Sequence, residues 1–241
     1  MECVRKTITE YWKTIVDETT AGSFSVNLSD GIYRITLVGA GGGGAGASDA
    51  PRDYKACEAG GGSGSYVRAL IRLTDGNYSA TVGVGGDGAG GLYGTFVGAT
   101  GGNSSFGSYI TAYGGTGGIA RWTDGTGGNP TGGTGGALPS ITGVESVLNS
   151  LAGSNGGIHQ QAGTAVGGSN PTEYGKGGDA FCSGGTAVGY KGGDGYVKIE
   201  RLSDKNSYDV AEQRVIHQLP KISNKFYGIE HFHWNNNGTP Q

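Results

Sequence analysis

Two stretches near the start of the chain alternate apolar and polar side chains with a period of two. In the first, Phe24, Val26 and Leu28 lead into Ser29-Asp30-Gly31, and Tyr33, Ile35 and Leu37 follow. In the second, Val67, Ala69, Ile71 and Leu73 lead into Thr74-Asp75-Gly76, and Tyr78, Ala80 and Val82 follow. Alternation on both sides of a glycine-containing turn predicts a β-hairpin in each case. Both carry the pattern Leu-[Ser/Thr]-Asp-Gly-x-Tyr, an internal duplication. Further strands are predicted at Ser104 to Phe106, at Tyr109 to Tyr113 and at Tyr196 to Leu202, where Val197 and Ile199 oppose Lys198 and Glu200. In 139–153, Ile141, Val144, Val147 or Leu148, and Leu151 have the spacing of a short helix.

Between Gly39 and Gly195 the pattern is set by glycine. The chain holds 53 glycines in 241 residues, about 22% against an ordinary usage near 7%. Glycine loses more conformational freedom on folding than any other residue, so such text orders only if backbones pack closely. Spacing favours order: Gly85, Gly88, Gly91 and Gly94 recur at period three, as do Gly189, Gly192 and Gly195. A polyproline II helix has three residues per turn, so period-three glycine leaves one bare edge along which a neighbour can approach. The expected architecture is therefore mainly β, a small sandwich or jelly-roll-like framework with an inserted bundle of glycine-rich polyproline-II-type helices. Residues 1–20 form a separate attachment segment, where Ile8, Trp12 and Val16 fit alternation while Ile8, Tyr11 or Trp12, and Ile15 fit a helical face. The glycine-rich domain spans 21–202. Residues 203–241 return to ordinary glycine content and read as a tail or docking segment.

Charge and composition exclude several classes. With 17 basic against 20 acidic residues and a formal charge of −3, the chain has no basic stripe of the kind nucleic acid requires. Three scattered cysteines, Cys3, Cys57 and Cys182, show no zinc spacing and read as unpaired thiols of a reducing compartment. The first twenty residues carry Glu2, Arg5, Lys6, Glu10 and Lys13, unlike a secretory leader, and no apolar run reaches membrane-span length. The 13 tyrosines and 3 tryptophans exceed what a solvated linker carries.

Candidate chemistry is sparse. Gly39-x-Gly41-x-x-Gly44 follows a strand, as in dinucleotide folds, but the text after it contains Pro51 and another glycine run instead of an amphipathic helix. No carboxylate pair, nucleophile elbow or Walker loop stands out, so neither catalytic residues nor a cofactor are expected. His231 and His233 beside Glu230 have the i, i+2 spacing of a metal pair, but a solvated aromatic tail is the preferred account of them and no metal site is expected. What remains is the set of interruptions between glycine runs. These place Arg52, Tyr54, Tyr93, Arg121, Trp122, Asp124, His159 and Tyr174 at segment boundaries. Loops on a rigid scaffold are where recognition tends to reside, and Tyr, Trp and Arg carry contact energy at low entropic cost.

The strand–glycine–strand text, from FSVNLSDGIYRITLVGAGGGG through GGSGSYVRALIRLTDGNYSATVGVGG and GGNSSFGSYITAYGG to GGDGYVKIE, resembles the glycine-rich domains of tailed-phage tail and fibre proteins. It is also similar to the adhesins at the tips of T-even-type long tail fibres, over roughly Thr19 to Leu202. The resemblance implies packed glycine helices whose intervening loops contact a receptor on the bacterial outer surface, either polysaccharide or protein. It further implies a non-enzymatic virion protein, assembled in the host cytoplasm, with other tail or fibre proteins and further copies of itself as partners. A tail or capsid decoration subunit without a receptor is the alternative.

Overall fold

The computed structural model describes residues 11–48, 56–122, 129–160, 163–183 and 186–203. The chain divides after Leu202 into two units, Met1–Leu202 and Ser203–Gln241. The described part is built of nineteen strands, numbered in chain order, and contains no helix.

Two five-stranded sheets enclose the main core. One has the order β1 (Trp12–Glu18), β19 (Tyr196–Leu202), β3 (Gly31–Val38), β6 (Tyr66–Leu73) and β14 (Ser146–Leu151). The other runs β13 (Ser140–Ile141), β11 (Ile110–Ala112), β10 (Ser104–Phe106), β7 (Gly76–Val82) and β2 (Gly22–Leu28). Alternate residues of both meet between them, Ile35, Leu37, Ile71 and Ile199 from one sheet packing with Leu28, Val82, Phe106 and Ile110 from the other. Trp12–Glu18, read from sequence as part of a separate segment, is the edge strand beside β19.

The two expected hairpins do not form. Strand β2 pairs with β7, from Gly22↔Val82 to Leu28↔Gly76, while β3 pairs with β6, from Gly31↔Leu73 to Val38↔Tyr66. Each Asp-Gly turn is instead a corner at which the chain crosses from one sheet to the other. Alternation could not distinguish the two, because both arms bury one face in the same core either way. The duplicated motif pairs with itself: the Asp30 N–H donates to the Asp75 carboxylate (2.8 Å) and the Asp75 N–H to that of Asp30 (2.7 Å). In each copy the tyrosine hydroxyl donates to the carbonyl four residues upstream, Tyr33 to Ser29 and Tyr78 to Thr74, both at 2.9 Å. The helix-like spacing in 139–153 also proves misleading. This stretch forms β13 and β14, and β14 pairs with β6 at the sheet edge, where Val147, Leu148 and Leu151 stay exposed.

From the sandwich, glycine segments lead away to three smaller sheets. Segment 39–44 is central. Its N–H groups donate, in rotation, to three neighbours: Gly39 and Gly42 to Ser65 and Gly62, Ala40 and Gly43 to Gly102 and Ala99, Gly41 and Gly44 to Gly193 and Tyr190. Its carbonyls accept from three others, through Gly86 and Ala89, Gly115 and Gly118, and Gly178. The partner thus repeats every third residue. Segment 60–65 is surrounded in the same way, donating to 152–157, 175–179 and 113–118 and accepting from 132–137, 166–170 and 39–44. The eight outer segments are joined in a closed ring by bonds such as Ala99 to Asp87, Gly98 to Gly118, Thr116 to Thr134 and Gly192 to Gly86. Two six-coordinated centres sharing two neighbours give three layers, of three, four and three segments.

This packing leaves no room for a β-carbon. One added at Gly41, Gly42 or Gly61 would lie 1.8, 2.1 or 2.0 Å from the carbonyl oxygen of Lys176, Thr116 or Gly42 respectively. Where serine stands in a central segment its hydroxyl is absorbed into the network: Ser63 Oγ donates to the Ser169 carbonyl (3.0 Å) and accepts from the Ser154 N–H (2.9 Å). On the outer segments, Asp and Asn side chains take up N–H groups that lack a neighbouring carbonyl, as Asp194 does for Gly85 (2.7 Å) and Asn103 for Gly114 (3.0 Å).

Gly42→Ala is expected to cost about 3 kcal/mol or more, because the obstacle is backbone held on all sides. Gly76→Ala, where the nearest atom would be 3.7 Å away on the Tyr78 ring, is expected to stay within about 0.5 kcal/mol. Chemical denaturation of the two variants measures the contrast.

On the outer face of the first sheet, Arg34 donates twice to the buried Glu200 carboxylate (2.7 and 2.8 Å) and lies 4.5 Å from the centre of the Trp12 ring. These bonds hold the Glu200 carboxyl below its ordinary 4.5, against the opposing effect of burial. A lowered folded-state value means that the contribution is complete above the unfolded value and is lost as pH falls through the folded one. The unfolding midpoint is therefore expected to fall as pH drops below 4.5. Glu200→Gln should remove that part of the dependence and cost about 3 kcal/mol at neutral pH, since it leaves Arg34 without its partner.

Candidate functional site at the far end of the glycine segments

The three layers emerge at their far ends as three sheets. The middle layer becomes β15 (Ile158–His159), β5 (Ala56–Ala59), β4 (Ala45–Ser48) and β8 (Ala89–Leu92), in that order. One outer layer becomes β12 (Ile119–Arg121) with β9 (Thr95–Val97), and the other becomes β16 (Gly163–Ala165), β17 (Ala180–Ser183) and β18 (Thr186–Gly189). Small residues allow these sheets to approach closely. Ala45, Ala47, Cys57 and Ala120 form a buried cluster on one side of the middle sheet, with Phe96 and Trp122 packed against it. On the other side, a β-carbon at Gly90 would come 2.4 Å from the Ala187 carbonyl.

Three of the residues singled out from sequence come together here. Tyr93 sits in the turn between β8 and β9 with φ of 50°, and among the described residues it is the one non-glycine with positive φ. Its N–H donates to the Ser48 carbonyl (3.0 Å), and the next carbonyl, Gly94, accepts from the Trp122 N–H (2.8 Å). Tyr93 is 53% exposed. Arg121 pairs with Thr95 across β12 and β9 and is exposed, while its carbonyl accepts from the Cys57 thiol (3.3 Å). Trp122 is half-buried, so much of its ring serves the core instead of the surface.

The other candidates separate. His159 lies on β15, at the opposite edge of the middle sheet from β8. Its Nδ1 is 3.5 Å from Oε2 of the fully buried Glu58, an ion pair when the imidazole is protonated. Tyr174 belongs to the sandwich end, because its ring stacks on Tyr196 at the start of β19 with centroids 4.3 Å apart. The Tyr196 hydroxyl is held above its ordinary titration range by burial and then by its bond to Asp17 (2.7 Å). Arg52, Tyr54 and Asp124 lie outside the described residues, as do His231 and His233. Among the described residues, no three His, Cys, Asp or Glu side chains form a metal-binding group, and no helix is long and apolar enough to cross a membrane.

One surface escaped the sequence reading. Across β17 and β18, Phe181 pairs with Val188, and beyond them the Tyr190 N–H donates to the Asp179 carbonyl. Phe181 and Tyr190 are exposed, as is Val166 one segment away. The signal was available in the strand Ala180-Phe181-Cys182-Ser183, where Ala180 and Cys182 face inward and Phe181 faces out with Ser183.

A family model described as a glycine-rich domain matches residues 19–213. The chain belongs to this glycine-rich domain family. The match covers both sheets of the sandwich except β1, all of the glycine segments and the far-end sheets. Comparison of this glycine-rich domain with curated proteins found no match.

A left-handed backbone is unfavourable for tyrosine and ordinary for glycine. Tyr93→Gly is expected to raise stability by about 1 kcal/mol, read as an increased denaturation midpoint. A decrease would show that the exposed ring contributes to the fold instead of being held out for contact.

Proposed function

We propose that the glycine segments are three-fold helices of the polyproline II type, and that the chain is a tail-fibre or tail-tip adhesin of a tailed bacteriophage. The helix assignment draws support from hydrogen-bond partners that recur at every third residue, the repeat of a helix with three residues per turn. In this reading the bundle is a rigid spacer, the turns at its far end meet a bacterial surface polysaccharide or outer-surface protein, and the sandwich end faces the particle. The protein works by binding and carries out no catalysis. It is assembled in the host cytoplasm into the virion, alongside other tail or fibre proteins and further copies of itself.

The observation that carries the proposal is the separation of the two ends, with exposed Tyr93 and Arg121 sharing the end opposite the sandwich. A bundle held by main-chain bonds keeps such turns preorganised, so little ordering entropy is lost on contact. Copy number on the particle raises weak single contacts through avidity.

Binding of the purified, fluorescently labelled protein to a panel of bacterial cells tests the reading. Saturable binding to a subset of strains is expected, reduced about tenfold by Tyr93→Ala or Arg121→Ala, the scale of a contact residue at an interface. The melting temperature should be unaffected by Arg121→Ala. Indifference of every strain would favour a decoration subunit without a receptor.

A further inference from the structure

The outer face of the sandwich sheet, remote from the turns considered above, carries an arginine whose chemistry is unfinished. Every other arginine on that face has an acidic partner: Arg34 bonds Glu200, and Arg72 bonds Glu145 at 2.8 Å. Arg68, opposite Thr36 on β6 and one row beyond Arg34, makes no ion pair or hydrogen bond among the described residues, and its Nε is shielded from solvent without an acceptor. The sheet register places Asn149, Arg68, Thr36, Lys198 and Asp17 in one row across five strands.

The charges of this face do not cancel. Glu200 is shared between Arg34 and Lys198, the latter 3.5 Å away, which leaves one positive charge over. Arg68 adds a second, and Asp17, which accepts from the Tyr196 hydroxyl at the far edge of the row, offsets one of the two, so Arg34, Arg68, Arg72 and Lys198 face three carboxylates and one positive charge remains. Half-buried Tyr66, Leu70 and Ile32 lie among the cations. A guanidinium fork matches a carboxylate in a bidentate geometry, and apolar groups between cations suit the side chains of a peptide better than a uniformly charged polyanion.

We propose that this face docks an acidic polypeptide segment of a partner protein, with a carboxylate of that segment bound by Arg68. The inference does not depend on the adhesin reading, since it concerns the opposite end of the bundle and needs no receptor.

Fluorescence anisotropy of the full chain against a labelled peptide of alternating glutamate and leucine, with a lysine–leucine peptide and a polyphosphate as comparisons, tests it. The glutamate peptide should bind saturably and lose affinity steeply as salt is raised to about 0.5 M, as expected of surface charges. Arg68→Glu should weaken it by about tenfold or more, and Arg121→Glu, at the far end, should leave it unchanged. If Arg68→Glu fails to fold, as judged by thermal melting, Arg68→Gln takes its place and should weaken binding in the same direction. Absence of saturable binding, equal losses in Arg68→Glu and Arg121→Glu, or polyphosphate binding with the same dependence on Arg68 would overturn the proposal.

Discussion

Contact between main chains is the constraint on which this molecule rests. In ordinary cores, side chains fill the space between elements. Here the elements touch directly, and a carbonyl oxygen occupies the position that a β-carbon would need at Gly41, Gly42, Gly43 and Gly44 alike. Neighbouring segments are joined by N–H to carbonyl bonds of 2.7–3.0 Å, so hydrogen bonds that glycine cannot make within its own segment are made between segments. Removing side chains is costly in entropy, and the return is a backbone network that satisfies its polar groups without forming a sheet.

The constraint also explains the two ends. Near the sandwich, alternation resumes and large residues such as Tyr33, Phe106 and Ile110 fill a conventional core. At the far end the segments are still closely spaced when they become strands, and the residues buried between the sheets are mostly alanine, glycine, serine and cysteine, with Glu58 a large exception. Most large side chains at that end are consequently displaced outward. Phe181, Tyr190, Leu92 and Tyr93 are exposed because the interior has no space for them, which makes the tip unusually rich in contact groups for its size.

Much of this was legible in the sequence, and the failures share a cause. The strands at Phe24, Tyr33, Val67 and Tyr78 announced themselves because alternation reports burial of one face. Their partners did not, since a corner and a hairpin bury the same residues. Period three was visible only in outer segments, where one residue in three faces solvent: Thr116 and Thr134 in the two GGTGG runs are exposed. The two central segments hide their period, because a chain with neighbours on six sides needs a small residue at every position, and Gly41 to Gly44 read as a plain run. Strand β14 was mistaken for a possible helix because its edge position leaves Val147, Leu148 and Leu151 uncovered, so burial imposes no alternation on them. Tyr174 looked like a loop residue because its stacking partner, Tyr196, is distant in sequence and joined to it only by the fold.

The rotation of hydrogen-bond partners along segment 39–44 has a bearing on how such a chain can change over generations. Adding or removing a single amino acid inside that segment would shift everything beyond it by one step of the three-residue repeat, aiming donors at the wrong neighbours and side chains into carbonyls. Gains and losses of length within the array are thereby confined to whole triplets of residues, and even these must be matched in the strands that follow. The Tyr93-Gly94 turn beyond β8 stands outside the repeat and is under no such arithmetic. Its side chain can be exchanged while the lattice behind it stays fixed.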